Sequence, residues 1–63
     1  MKLVNVNEAA RMLSCSKRSM ERWRQLHYGP VPFRVGCRIF YDLDDVERFL
    51  RAEYEAAQEE WAR

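Results

Sequence analysis

The chain has 63 residues, 48% of them apolar and 13% aromatic, and a formal net charge of +1. That length gives one domain near the lower limit for independent folding, with little room for a buried catalytic pocket. The composition excludes a disordered tail, and no apolar run approaches the roughly 20 residues of a membrane span. Met1-Lys2-Leu3-Val4-Asn5 lacks the apolar stretch of a signal peptide, so a cytoplasmic location is expected. Cys15 and Cys37 are the only cysteines and His27 the only histidine. A four-ligand zinc site is therefore out of reach within one chain, and two free thiols, no metal and no cofactor are expected.

The small net charge conceals a polarised molecule. Residues 1–41 carry Lys2, Arg11, Lys17, Arg18, Arg22, Arg24, Arg34 and Arg38 against Glu8 and Glu21, a balance of +6. Residues 42–63 carry Arg48, Arg51 and Arg63 against Asp42, Asp44, Asp45, Glu47, Glu53, Glu55, Glu59 and Glu60, a balance of −5. A basic front half attracts a polyanion, while the acidic rear faces away from it or meets a basic neighbour. Ordinary solvated charge is the competing explanation.

In chain order, Asn5 and Glu8 form the pattern of a capping box, and Val6, Ala9, Ala10 and Leu13 follow helical spacing. A helix over about 6–13 is predicted, too short to stand without a partner. Ser16 is a second N-cap, and the residues after it read as a helix over about 17–26, with Met20 and Trp23 on one face. Two short helices joined by a tight turn fit a helix-turn-helix, in which the second helix carries the exposed basic face. Gly29-Pro30-Val31-Pro32 stops helical structure. Two β-rich runs around Gly36-Cys37 then predict a hairpin wing over about 33–41, with a type II′ turn. Phe33, Val35, Ile39 and Tyr41 are expected on one face, and Arg34, Arg38 and Phe40 on the other. Asp42 caps a third helix over about 43–61, in which Leu43, Val46, Phe49, Leu50, Tyr54, Ala57 and Trp61 form an apolar stripe.

Arg18 and Arg22 lie one turn apart, and Ser16, Lys17 and Ser19 sit at the start of the second helix. Arginine binds guanine O6 and N7 bidentately, whereas lysine and serine more often hold phosphate. The same residues also fit a solvated face with a Lys17–Glu21 or Glu21–Arg24 pair of small worth. At the wing, Arg34, Gly36, Cys37 and Arg38 suit phosphate or minor-groove contact. Gly36 alternatively serves turn geometry alone, and either arginine alternatively packs on an aromatic ring. Cys37 reads as a spacer, because no neighbour is evident to activate it. Trp23 reads as core; Phe40 and Tyr41 do too, with a phosphate contact as the lesser reading for Tyr41. Asp44 and Asp45 are explained by the helix dipole. Tyr54 and Trp61 either finish the core or lie on an acidic helix that meets a neighbouring molecule. No clustered nucleophile and base, metal set or phosphate loop supports an enzyme.

Several segments occur in an order that carries a resemblance. These are Asn5-Val6-Asn7-Glu8-Ala9-Ala10-Arg11-Met12-Leu13, Ser16-Lys17-Arg18-Ser19-Met20, Trp23, Val31-Pro32-Phe33-Arg34-Val35-Gly36-Cys37-Arg38 and Asp45-Val46-Glu47-Arg48-Phe49-Leu50. Over roughly residues 3–51 the chain resembles the excisionase-type (MerR-related, AlpA-like) winged helix-turn-helix family, especially the short excisionases of mycobacteriophages. It differs in having Ser14-Cys15 where the family usually shows Gly and an aliphatic residue. The segment 25–30 also departs from the family's short Gly-Lys-Leu-Pro loop. The resemblance implies a single mainly α domain with a small β-hairpin wing that binds double-stranded DNA at repeated sites and bends it. It further implies contact with neighbouring copies and help for a phage integrase in excising a mobile element. A small AlpA- or MerR-type transcriptional regulator is the alternative, and an interaction module using the acidic helix is a third reading.

Overall fold

In the computed structural model, which describes residues 1–62, the elements run β1 (Leu3–Asn5), α1 (Val6–Met12), α2 (Lys17–Gln25), β2 (Pro32–Val35), β3 (Arg38–Asp42) and α3 (Leu43–Trp61). Arg63 lies outside the described residues. All three helix starts are made by the residues expected to make them. Asn5 Oδ1 accepts from the Glu8 N–H at 2.8 Å, and the Glu8 carboxylate accepts from the Asn5 N–H at 3.3 Å, completing the capping box. Ser16 Oγ accepts from the Ser19 N–H, and Asp42 Oδ1 from the Asp44 N–H.

The first two helices stop by a shared device. Ser14 and His27 each adopt a left-handed conformation with φ 54°. The Ser14 N–H donates to the Arg11 carbonyl and the Cys15 N–H to the Ala10 carbonyl. The His27 and Tyr28 N–H groups bond the Arg24 and Trp23 carbonyls in the same pattern. Each pair satisfies helix-end carbonyls and reverses the chain. Glycine usually fills this position because it alone has no Cβ penalty there. Serine therefore holds the helix-turn-helix corner at some cost. The expected helix ends shift by one residue, since Leu13 and Leu26 are caps.

The hairpin is part of a larger sheet. β1, a strand not anticipated from the sequence, pairs antiparallel with β3, giving the order β1-β3-β2 with β3 central. The expected faces of the hairpin are also corrected. Phe33 lies opposite Phe40, Arg34 opposite Ile39 and Val35 opposite Arg38. Cross-strand partners share a face, so Arg34, Ile39 and Tyr41 lie on one side and Phe33, Val35, Arg38 and Phe40 on the other. A two-residue turn at Gly36-Cys37 imposes this register. Gly36 has φ 64° and Cys37 no positive φ, the signs of a type II′ turn.

The core is small, and nearly every element reaches it. Val4 of β1, Ala9 and Ala10 of α1, Met20 of α2, Tyr41 of β3 and Val46 of α3 form one buried cluster. Trp23, Leu13, Ile39 and Leu43 pack around it. Tyr41 is therefore a core residue and does not reach outward to phosphate. Beside the cluster, Trp23, Tyr28 and Phe49 pack with ring centroids 5.3 to 5.9 Å apart, joining the end of α2 to α3. Beyond Leu50, every described residue of α3 is exposed, and the molecule extends 46 Å along its long axis. Tyr54 and Trp61 do not finish the core: they are 64% and 92% exposed. Three helices with this three-stranded antiparallel sheet form a winged helix-turn-helix fold.

Two substitutions test the corners in opposite directions. Ser14→Gly relieves the left-handed residue and should raise stability by about 0.5–1 kcal/mol, seen as a higher urea midpoint at unchanged slope. Gly29 has φ 89°, and a Cβ there would stand 3.2 Å from Trp23 Cε3. Gly29→Ala should therefore lower the midpoint, a loss of about 1–3 kcal/mol in stability.

Candidate nucleic-acid interface

Met20 and Trp23 turn inward and fix the rotation of α2. Met20 is 1% exposed, and Trp23 packs against the core cluster. At about 100° per residue, Arg18, Glu21, Arg22 and Gln25 then fall on the opposite side. Together with Ser16 and Ser19 they line one shallow surface concavity. The arginines are not neutralised from within. Among the described residues the only salt bridge is Arg48–Asp45 at 3.7 Å, on α3. The Lys17–Glu21 and Glu21–Arg24 pairs that would have made this an ordinary solvated face are not formed. Two exposed guanidinium groups one turn apart, neither paired with a carboxylate among the described residues, remain available to an outside anion or acceptor.

The expected site residues are thus brought together only in part. Arg18 and Arg22 are exposed on the outer face of α2. Ser16 lines the same concavity, but its Oγ is occupied: it accepts the Ser19 N–H and lies 3.1 Å from Ser19 Oγ. Ser16 is first a cap that sets where the helix begins. Lys17 is exposed on the same helix but outside the concavity. Arg34, Gly36, Cys37 and Arg38 are all exposed at the hairpin tip and form no part of the α2 concavity. Arg34 and Arg38 occupy opposite faces of the hairpin, so the tip carries charge on both sides. The space where a Gly36 side chain would sit is empty within 4 Å, leaving its backbone open to close approach. Neither cysteine is in a disulfide; burial pushes the Cys15 thiol up, while Cys37 is exposed.

Three residues contribute to the site beyond those expected to touch DNA. Glu21 and Gln25 share the concavity with the arginines, as their helical angle from Met20 and Trp23 indicates. Asp45 does more than meet a helix dipole. Its Oδ2 accepts the Val31 N–H at 2.7 Å, and its Oδ1 faces Arg48. This bond ties the segment between α2 and the wing to the start of α3. Nearby, the Tyr28 hydroxyl donates to Glu53 Oε1 at 2.7 Å. That hydrogen bond, with some burial and the carboxylate's charge, raises the Tyr28 pKa above the usual phenol value. The left-handed His27 and Gly29, the aromatic trio and these two bonds set the path of 26–31.

Among the described residues no helix is long and apolar enough to cross a membrane. Nor do three His, Cys, Asp or Glu side chains gather there into a metal-binding group. No curated protein and no solved structure matches the chain. A family described as a helix-turn-helix domain matches residues 3–54, from the first strand to the exposed part of α3. Over that span the corner between α1 and α2, the basic outer face of α2 and the β2–β3 wing are all present, and the chain belongs to the helix-turn-helix domain family.

Proposed function

We propose that the protein is a non-enzymatic, sequence-specific binder of double-stranded DNA that acts as an excisionase, a recombination directionality factor of a phage or related mobile element. The observation that carries the DNA reading is the outer face of α2, where Arg18 and Arg22 are exposed and form no ion pair among the described residues. In this reading α2 enters the major groove, Arg18 and Arg22 meet guanine edges, and Lys17 and Ser19 hold phosphates. The wing, through Arg34, the Gly36-Cys37 backbone and Arg38, follows the adjacent phosphates or minor groove of the same duplex.

The excision role rests on the likeness to short phage excisionases and on the economics of a small module. One domain with a handful of phosphate contacts binds weakly alone. Binding at repeated sites, with contacts between neighbouring copies, raises the effective affinity and offsets a bending cost of about 1–6 kcal/mol. The exposed acidic half of α3 is the surface left over for a neighbouring copy or for an integrase, since the core does not use it. The protein makes and breaks no bonds and needs no cofactor. Its place of action is the cytoplasm of a bacterial host, on the nucleoid when bound.

Arg18→Ala and Arg22→Ala should each weaken binding to a selected duplex by about 5- to 150-fold, with thermal melting unchanged. Unchanged affinity in a gel shift would contradict the reading and favour an interaction module built on the acidic helix. Footprinting on the DNA that flanks its gene, with and without a candidate integrase, tests the excision role. Phased repeats beside a recombination core are expected; a lone operator at a promoter would indicate a transcriptional regulator.

A further inference from the structure

One carboxylate stands on the basic face of α2 without an internal reason to be there. Glu21 is exposed and lies in the same concavity as Arg18, Arg22 and Gln25. Helical spacing offers it Lys17 and Arg18 one turn before and Arg24 and Gln25 one turn after. Among the described residues it makes neither an ion pair nor a hydrogen bond with any of them. It caps no helix and braces no loop. On a face that meets phosphates such a charge is a liability, because it repels the polyanion that the arginines attract.

We infer that Glu21 is a specificity-determining residue that selects a cytosine in the bound duplex. This rests on the DNA-binding reading above. A carboxylate offers acceptors alone and needs a donor. In the major groove only the cytosine N4 and adenine N6 amino groups donate. At adenine the N6 donor adjoins the N7 acceptor, which repels the second carboxylate oxygen; guanine and thymine present no donor at all. Cytosine is the base that a single acceptor-only side chain distinguishes best. Glu21 also weakens binding to unrelated sequence, where it meets phosphate with no compensating donor. Affinity and discrimination thus have separate sources on one helix face: Arg18 and Arg22 attract, and Glu21 excludes.

The test is selection from a randomised duplex library by the full chain and by its Glu21→Ala and Glu21→Gln variants. Affinities for the winning site and for an unrelated duplex are measured alongside. The wild type should fix a cytosine at one position close to the guanines chosen by the arginines. Glu21→Ala should make that position indifferent and leave the others unchanged. It should also lower the ratio of specific to non-specific affinity by about 5- to 150-fold, partly through tighter non-specific binding. Glu21→Gln should move the preference toward adenine, whose paired donor and acceptor a glutamine matches. Since Glu21 has no partner among the described residues, all three proteins should melt together. If Glu21→Ala keeps the wild-type preference and raises every affinity by one factor, Glu21 is only a surface charge and the inference is wrong. If the wild type itself shows no sequence preference, the reading beneath it fails first.

Discussion

The burial of Met20 in the shared core is the contact on which the remaining geometry turns. It fixes the rotation of α2, and that rotation decides which six side chains line the outer concavity. Six residues form the buried cluster, and β1, α1, α2, β3 and α3 each contribute at least one. In so small a core no element is independent of the others. Truncating Met20 would cost about 2–5 kcal/mol, a large part of the stability of a domain this size. The wing is held less directly: Ile39 and Tyr41 anchor its inner face, while residues 34–38 project beyond the core.

Much of this could be read from the residues in order. The caps at Asn5, Ser16 and Asp42, the stop before Gly29-Pro30 and the glycine of the hairpin turn are local signals, and local signals determine helix ends and turns. Features that depend on distant partners were not legible. A three-residue strand at Leu3–Asn5 is too short to display a period, and it exists only because β3 offers an open edge. Alternation along each strand alone does not settle whether Phe33 and Tyr41 share a face, because that depends on the register across the turn. A two-residue turn pairs Phe33 with Phe40, which puts Tyr41 on the other side. The apolar stripe of α3 was real in sequence, but its second half has nothing to pack on. A 19-residue helix outruns a body this small.

The site was legible to the same extent and for the same reason. Arg18 and Arg22 follow from helix position, and the structure adds that no carboxylate among the described residues pairs with them. What sequence spacing could not reveal was which charge pairs form. Lys17–Glu21 and Glu21–Arg24 have favourable spacing and do not close, whereas Asp45, with a dipole explanation ready at hand, bonds the backbone of a distant loop. The outcome is a division of labour along the chain. The basic front supplies an exposed helix face and a projecting tip, and the acidic residues of the rear hold the connecting loop or extend into solvent.

The central claim is that the outer face of α2 and the tip of the wing meet one duplex. Backbone amide shifts followed by NMR, during titration of the full chain with a DNA duplex that carries a single selected site, examine it most directly. Large changes should concentrate in Ser16–Gln25 and Val35–Arg38, leaving residues 50–61 nearly unaffected. Changes confined to α3 beyond residue 50, or affecting α2 while leaving the wing tip still, would contradict it.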